Sequence, residues 1–415
     1  MRQFLSTYNF MKKFKANIPL FILIFSITSP VLIIYFLNNK FSLLKNLYFY
    51  SPLIIKREKI CPLYNKLLKK HFDQTFSATI IDNEGFKIAS LNENELRKPA
   101  SNLKLFSTAY VLSKYRNYHT LKTSIYKDRD DNFHLIGNGD PDLNYNDIKQ
   151  ILSRLKFDNF SSLFLHEIVP GNNYPKGWTA IDKKYNYGSP ITSLALHSNE
   201  KKDLNIYYLK NQIEKYLEGK YPDKKIYVSI VNYKYKKNLT LIESIESNPI
   251  ISLVTLANAE SHNFSSESLF KSASKTWNKN KYNKLKIWIS RRGLPVNGIR
   301  ISDASGLSRD NRLTTKLVAE FLHKMKFNND FDSYISTLSI MGTRGTLARR
   351  LANTKIKNKF FGKSGTLSNT AALSGYLNKM NKSLTISIIQ NSNLINTNKI
   401  DNFIIDLYKS DECSN

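Results

Sequence analysis

Twenty consecutive residues without a charge, Ile18 to Leu37 (IPLFILIFSITSPVLIIYFL), set the first limit on how this chain can fold. As a helix they rise about 30 Å, the thickness of a bilayer's hydrocarbon core. Arg2, Lys12, Lys13 and Lys15 precede the run, so its N-terminus is expected to stay cytoplasmic. Residues 1–17 read as a cytoplasmic basic tail, 18–37 as a transmembrane anchor and 38–59 as a basic, aromatic tether. The alternative is a cleaved signal peptide. Against it, the run exits into FLNNKFSLL without a small-x-small cleavage site. On either reading the remaining chain lies outside the cytoplasm.

That placement bears on the charge. The 415 residues carry 62 Lys+Arg against 33 Asp+Glu, a net charge of +29. Such a surface favours anionic partners. The lysines are scattered among Asn, Ile and Tyr without one dense basic block, and an extracytoplasmic chain argues against a nucleic-acid partner. With 41% hydrophobic and 12% aromatic residues there is material for a real core. The seven histidines are isolated, and no Cys/His cluster has zinc spacing, so neither metal nor cofactor is expected.

Past the tether, CPLYNKLLKKHF (61–72) reads as an amphipathic helix and FSATIIDNEGFKIASLN as a hairpin turning at Asn83-Glu84-Gly85. After Pro99-Ala100, the apolar residues Leu103, Leu105, Phe106, Ala109, Val111 and Leu112 predict a mostly buried helix. From about 121 to 240 short strand-like runs (FHLIGNGDPDL, SLFLHEIV, LNIYYL, KIYVSIVN) alternate with polar loops, as in an inserted domain. Helical patterns return at 249–273 and 314–325, followed by strands at TAALSGYL and SLTISIIQN and a last helix at TNKIDNFIIDLYKS.

Ser101 and Lys104 open the buried helix. Ser-x-x-Lys occurs seven times in this Ser- and Lys-rich chain, at Ser42, Ser124, Ser153, Ser198, Ser268 and Ser272 as well, so the pattern alone decides nothing. The setting does: only Ser101 stands at the start of a buried helix after a hairpin. Spacing i,i+3 puts Lys104 on the face of Ser101, where a lysine made neutral by burial and a second cation can serve as its base. That second cation is offered by Lys363-Ser364-Gly365-Thr366; Lys-[Ser/Thr]-Gly occurs nowhere else. A glycine in a strand lets a substrate backbone approach closely, and Lys363, Ser364 and Thr366 can hold a carboxylate. Between these sites Ser261-His262-Asn263 supplies a hydroxyl to pass a proton and an amide to hold a peptide group. His262 reads as a spacer, Asp303 and Ser305 as loop-fixing.

Ser-x-x-Lys, Ser-x-Asn and Lys-[Ser/Thr]-Gly in this order are the motif set of the penicillin-recognising serine enzymes. From about residue 60 to 410 the chain resembles the class C low-molecular-mass penicillin-binding proteins, the D-Ala-D-Ala carboxypeptidase/endopeptidase family of serine peptidases. The resemblance includes KPASNLKLFSTAYVL, GNGDPDL, GSPITSLALHSN, SDASGLSRDNRLTT and KFFGKSGTLSNTAALSGYL, with Ser364 in place of the commoner Thr. It implies an α+β, penicillin-binding-protein/β-lactamase-like transpeptidase fold: an antiparallel sheet flanked by helices, with an inserted β-rich domain at 121–240. The peptidase domain is then 60–120 with 241–415.

The implied chemistry is acyl transfer on peptidoglycan stem peptides ending in D-Ala-D-Ala, with β-lactams acylating the same serine. Ser101 is the nucleophile, Lys104 its base and Ser261 the proton carrier. Asn263, Lys363, Ser364, Gly365 and Thr366 bind substrate, and the N–H groups of Ser101 and Thr366 form the oxyanion hole. The rivals are a serine β-lactamase and an inactive wall-binding scaffold. A class A β-lactamase needs a deacylating Glu beyond Ser-x-Asn, and no Glu falls between Glu267 and Glu320. Cys61 and Cys413 are the only cysteines. In this family the first and last helices share one domain, so the two can meet in a disulfide. The alternative is a buried Cys61 and a thiol on a frayed tail.

Overall fold

The computed structural model describes residues 59–411 and 413, except 168–172, 202–204, 233–238, 278–280 and 381. The expected anchor at 18–37 lies outside the described residues. Among those described, no helix is long and apolar enough to cross a membrane.

Two sheets organise the chain. Strands β1 (Phe76–Ile81) and β2 (Lys87–Leu91) form the predicted hairpin, in which Asp82 Oδ1 accepts the amides of Glu84 and Phe86 and Gly85 takes φ +92°. They belong to an antiparallel six-stranded sheet in the order β2-β1-β11-β10-β9-β8. Its other members are β8 (Ser339–Ile340), β9 (Phe360–Leu367), β10 (Thr370–Lys379) and β11 (Lys382–Asn391).

Both faces of this sheet are covered, which is why β1 is buried at every position. Alternate residues face opposite ways along a strand. Phe76, Ala78 and Ile80 pack with Ile386 and Ile388 against the first and last helices among the described residues, Pro62–His71 and Thr397–Lys409. Thr79 looks the other way and bonds Thr315 Oγ1 at 3.0 Å, at the start of the helix Thr315–Met325. Behind that helix lies the second core, built on the helix Lys104–Leu112, all nine of whose residues are buried. The terminal helices pack on each other, and Cys61 and Cys413 are joined in a disulfide with Cα atoms 5.6 Å apart.

The second sheet runs β6-β5-β4-β3-β7: β3 (Thr120–Lys127), β4 (Phe133–Ile136), β5 (Ser162–Glu167), β6 (Tyr227–Asn232) and β7 (Thr240–Pro249). It differs from the β-rich module expected. β4, β5 and β6 are parallel, and parallel strands need crossovers. Two helices lie on these connections, Tyr145–Ser153 and Ile206–Lys220. The run LNIYYL, read above as a strand, enters the second of these. Its aromatic and β-branched start imitates a strand. Asn205 caps the amides of Tyr207 and Tyr208, and Leu209, Ile213 and Leu217 repeat every four residues and are buried. The helix Tyr145–Ser153 carries a reciprocal Asn144–Asp147 capping box.

Candidate active site

Pro99 feeds a single 3₁₀ turn, Ala100–Leu103, which runs straight into the helix Lys104–Leu112. The turn is held from three sides. Asn102 Nδ2 donates to Ser374 Oγ on β10 at 2.7 Å. Ala100 is left-handed at φ +46°, and its carbonyl packs so closely on Gly306 that a Cβ there would sit 1.9 Å away. On the third side, a Cβ at Gly365 of β9 would lie 3.0 Å from the Ser101 amide nitrogen. Glycine at 365 is what lets the strand pass beside the serine.

Ser101 Oγ receives two hydrogen bonds, from Lys104 Nζ at 3.0 Å and from Ser261 Oγ at 3.1 Å. Lys104 is fully buried, and Nζ also donates to Asn263 Oδ1 at 2.6 Å and to the Ser305 carbonyl at 2.7 Å. Burial pushes the Lys104 ammonium down to about 7, against the opposing pull of Asp303 and then Glu267. Lys363, also fully buried, is pushed well below the ordinary lysine range by burial first and by Lys104 second; Glu260 opposes. Lys363 Nζ donates to the carbonyl of Ser364 at 3.0 Å. The Ser364 hydroxyl meets Thr346 Oγ1 at 2.7 Å.

Ser261 sits where the pattern at 249–273 breaks into two helices, Ile250–Asn258 and Asn263–Ser274. It takes φ +63°, a left-handed value unusual for serine. The loop is pinned there. The Ala259 carbonyl accepts Thr346 N–H at 2.9 Å and Ser339 Oγ at 3.0 Å, and His262 N–H reaches Leu256 O at 3.2 Å. Asn263 Nδ2 donates to the Tyr187 carbonyl at 2.9 Å, so the same amide faces Lys104 with its oxygen.

A cleft of about 780 Å³ opens over these groups, with Ser101, Ser261, Asn263, Ser364 and Thr366 on its wall. Lys104 and Lys363 lie buried beneath. Tyr187, Asp182 and Arg309 line it as well. Sequence reading had no signal for Tyr187 or for the Arg309–Asp182 ion pair at 3.1 Å, because their partners are distant along the chain.

The reading of His262 changes in detail, and that of Asp303 as loop-fixing agrees with its contacts. His262 does more than space the motif: its Nδ1 meets Ser265 Oγ at 2.7 Å and its Nε2 meets Glu200 Oε1 at 3.1 Å, bridging toward the second module. Asp303 is the hub of its loop. It accepts the amides of Gly306 and Ser308, the Asn311 side chain and Trp178 Nε1 at 2.6–2.9 Å. Among the described residues no group of three His, Cys, Asp or Glu is placed to hold a metal.

The layering and this cleft are those of the penicillin-binding class of serine hydrolases. The D-Ala-D-Ala carboxypeptidase 3 (S13) family matches residues 65–215 and 205–407, and the chain belongs to it. Penicillin binding protein 4 from Haemophilus influenzae shares the fold, with a TM-score of 0.69 at 16% identity over 84% of this chain and 99% of that one. A peptidoglycan endopeptidase from Bdellovibrio bacteriovorus does so at a TM-score of 0.52 and 14% identity, over 80% of this chain and 92% of its own. A D-alanyl-D-alanine carboxypeptidase of Actinomadura sp. (strain R39) is 32% identical over 108 residues, 25% of this chain. The match spans a fifth of that relative's length (20%).

Proposed function

We propose that this protein is a serine D-Ala-D-Ala carboxypeptidase that acts on peptidoglycan stem peptides through an acyl-enzyme on Ser101. The observation that carries the reading is the contact of Ser101 Oγ with Lys104 Nζ on one side and Ser261 Oγ on the other, at the wall of an open cleft. The S13 family membership supports it.

In this mechanism a neutral Lys104 keeps its two N–H bonds on Asn263 Oδ1 and the Ser305 carbonyl. Its lone pair then faces Ser101, takes the hydroxyl proton, and frees Oγ to attack the penultimate D-Ala carbonyl. The N–H groups of Ser101 and Thr366 receive the oxyanion. Ser261 gives its proton to the departing D-Ala amine and is resupplied by Lys104 or Lys363, so the proton taken from Ser101 leaves with the amine. Lys363, Ser364 and Thr366 hold the terminal carboxylate, whose negative charge favours the ammonium form of Lys363 against the burial that lowers its basicity. Water then hydrolyses the acyl-enzyme. A β-lactam presents a carbonyl and a carboxylate in the same relation and acylates Ser101 by the same route. A D-Ala crosslink offers the same carbonyl with a different leaving amine, which makes endopeptidase action a second activity of the same centre.

Residues 18–37 anchor the chain in the cell membrane of a bacterium, with the catalytic part on the wall side. The anchored chain should stay with membranes after a high-salt wash; a mature N-terminus near residue 40 would show processing instead.

The test uses purified wall peptides, crosslinked and uncrosslinked, with product analysis, beside a labelled penicillin. Release of D-Ala and covalent label on Ser101, lost in Ser101→Ala, are expected. Label on Ser261, or label that survives Ser101→Ala, would overturn the assignment. Penicillin turnover without action on wall peptides would favour a β-lactamase, and silence on both an inactive scaffold.

A further inference from the structure

Glu267 lies one turn beyond Asn263 on the same helix and is fully buried. Its Oε1 accepts two backbone amides, Ala304 at 2.8 Å and Ser305 at 2.7 Å. The carbonyl of that same Ser305 receives Lys104 Nζ. Glu267 thus grips Ser305 from its amide side while Lys104 uses its carbonyl side. An ionised carboxylate in a protein interior is costly. Burial favours the neutral form of Glu267, and the two amide donors on Oε1 favour the charged one.

The charged surroundings are few. Around Glu267 stand Lys271 one turn further along the helix, Tyr282 from the following segment, and Asp303 on the loop. Around Lys104 stand Asp303, Glu267, Lys363 and His262. Asp303 is already engaged by four N–H donors. We propose that Glu267 is a positioning residue for the reaction: it holds Ser305 by its amide and so sets the Ser305 carbonyl against the Lys104 amine. This rests on the reading of Lys104 as the base of Ser101. Burial followed by Asp303 pushes Glu267 up to about 7, while the amide donors of Ser305 and Ala304 hold it down. Burial pushes Lys271 down to about 8, with Glu267 opposing.

Glu267→Gln keeps the shape and the amide acceptor and removes the charge. Losing a negative charge beside Lys104 lowers the pH at which its amine becomes free. In the full-length protein, the pH profile of penicillin acylation should therefore move to lower pH in Glu267→Gln, by about 0.5 unit or more. A purely structural role would scale the rate at every pH and leave the midpoint in place. A Glu267→Gln profile superimposable on wild type, or moved to higher pH, overturns the proposal.

If Glu267→Gln does not fold, Glu267→Asp takes its place. It keeps the charge but withdraws it by one methylene, so the plateau rate should fall at least about tenfold with a near-constant midpoint. A wild-type plateau in Glu267→Asp overturns the positioning role. Failure of the underlying reading looks different: wild type itself would then show no rise with pH, or no label on Ser101.

Discussion

Lys104 and Lys363 are both buried and both lose basicity, but their neighbours give them different tasks. Lys104 Nζ touches the hydroxyl it would deprotonate, and its ammonium titrates near 7. A base acts in its neutral form, so acylation should be slow below pH 6 and rise through about pH 7 to a plateau. A rate that falls across this interval would contradict the role. Lys104→Arg should suppress acylation by about 100-fold or more, because a guanidinium cannot serve as a neutral base. Lys363 touches no nucleophile; its Nζ lies on the Ser364 carbonyl beside the cleft. Lys363→Arg keeps a cation for the substrate carboxylate and should cost less, about tenfold, the scale of one weakened charged hydrogen bond. Equal losses in the two variants, measured as penicillin labelling rates, would sink this division of labour.

At the scale of elements, the site is a junction of backbone surfaces that glycine allows to touch. The loop after Asp303 presses Gly306, at φ +84°, onto the Ala100 carbonyl, one residue before the nucleophile. Gly306→Ala adds a side chain to left-handed backbone and drives it into that carbonyl. The loss should be about 1–3 kcal/mol of stability, with Ser101 displaced and acylation slowed at least tenfold. Unfolding curves and labelling rates check this; a variant that labels like wild type would show that the contact does not position Ser101.

At the scale of the whole molecule, the disulfide closes 352 residues of separation, tying the start of the first helix to the tail after the last. The buried Lys379 fastens the same tail by donating to the carbonyls of Leu407 and Ser410. Closing so long a loop restricts the unfolded chain and should contribute about 2–5 kcal/mol. Cys413→Ser is expected to lower the melting temperature by about 3–6 °C while leaving penicillin labelling of Ser101 intact, because the bond clasps the far ends of the terminal helices. An unchanged melting temperature would mean that the packing of those helices holds the tail unaided.

The motifs, their order and the elements that carry them are legible in the order of residues alone. Ser101 and Lys104 share a helix turn, Lys363 to Thr366 share a strand, and such local spacings fix geometry whatever packs around them. The hairpin at Gly85 and the buried helix after Leu103 were legible for the same reason: a short-range pattern of turn residues or apolar positions specifies each. The helix Ile206–Lys220 was misread because tyrosines and isoleucine open it, and the burial of Leu209, Ile213 and Leu217 is decided by the sheet beneath. The company these motifs keep is set by packing between distant segments. The Glu267 grip on Ser305, the Asp303–Trp178 bond and the His262–Glu200 contact join residues 38, 125 and 62 positions apart. Disulfide pairing was in the same position, since two cysteines near the ends of a domain can equally be joined or lie apart. Nothing in local spacing encodes such contacts, because they exist only once two cores have packed against the faces of one sheet.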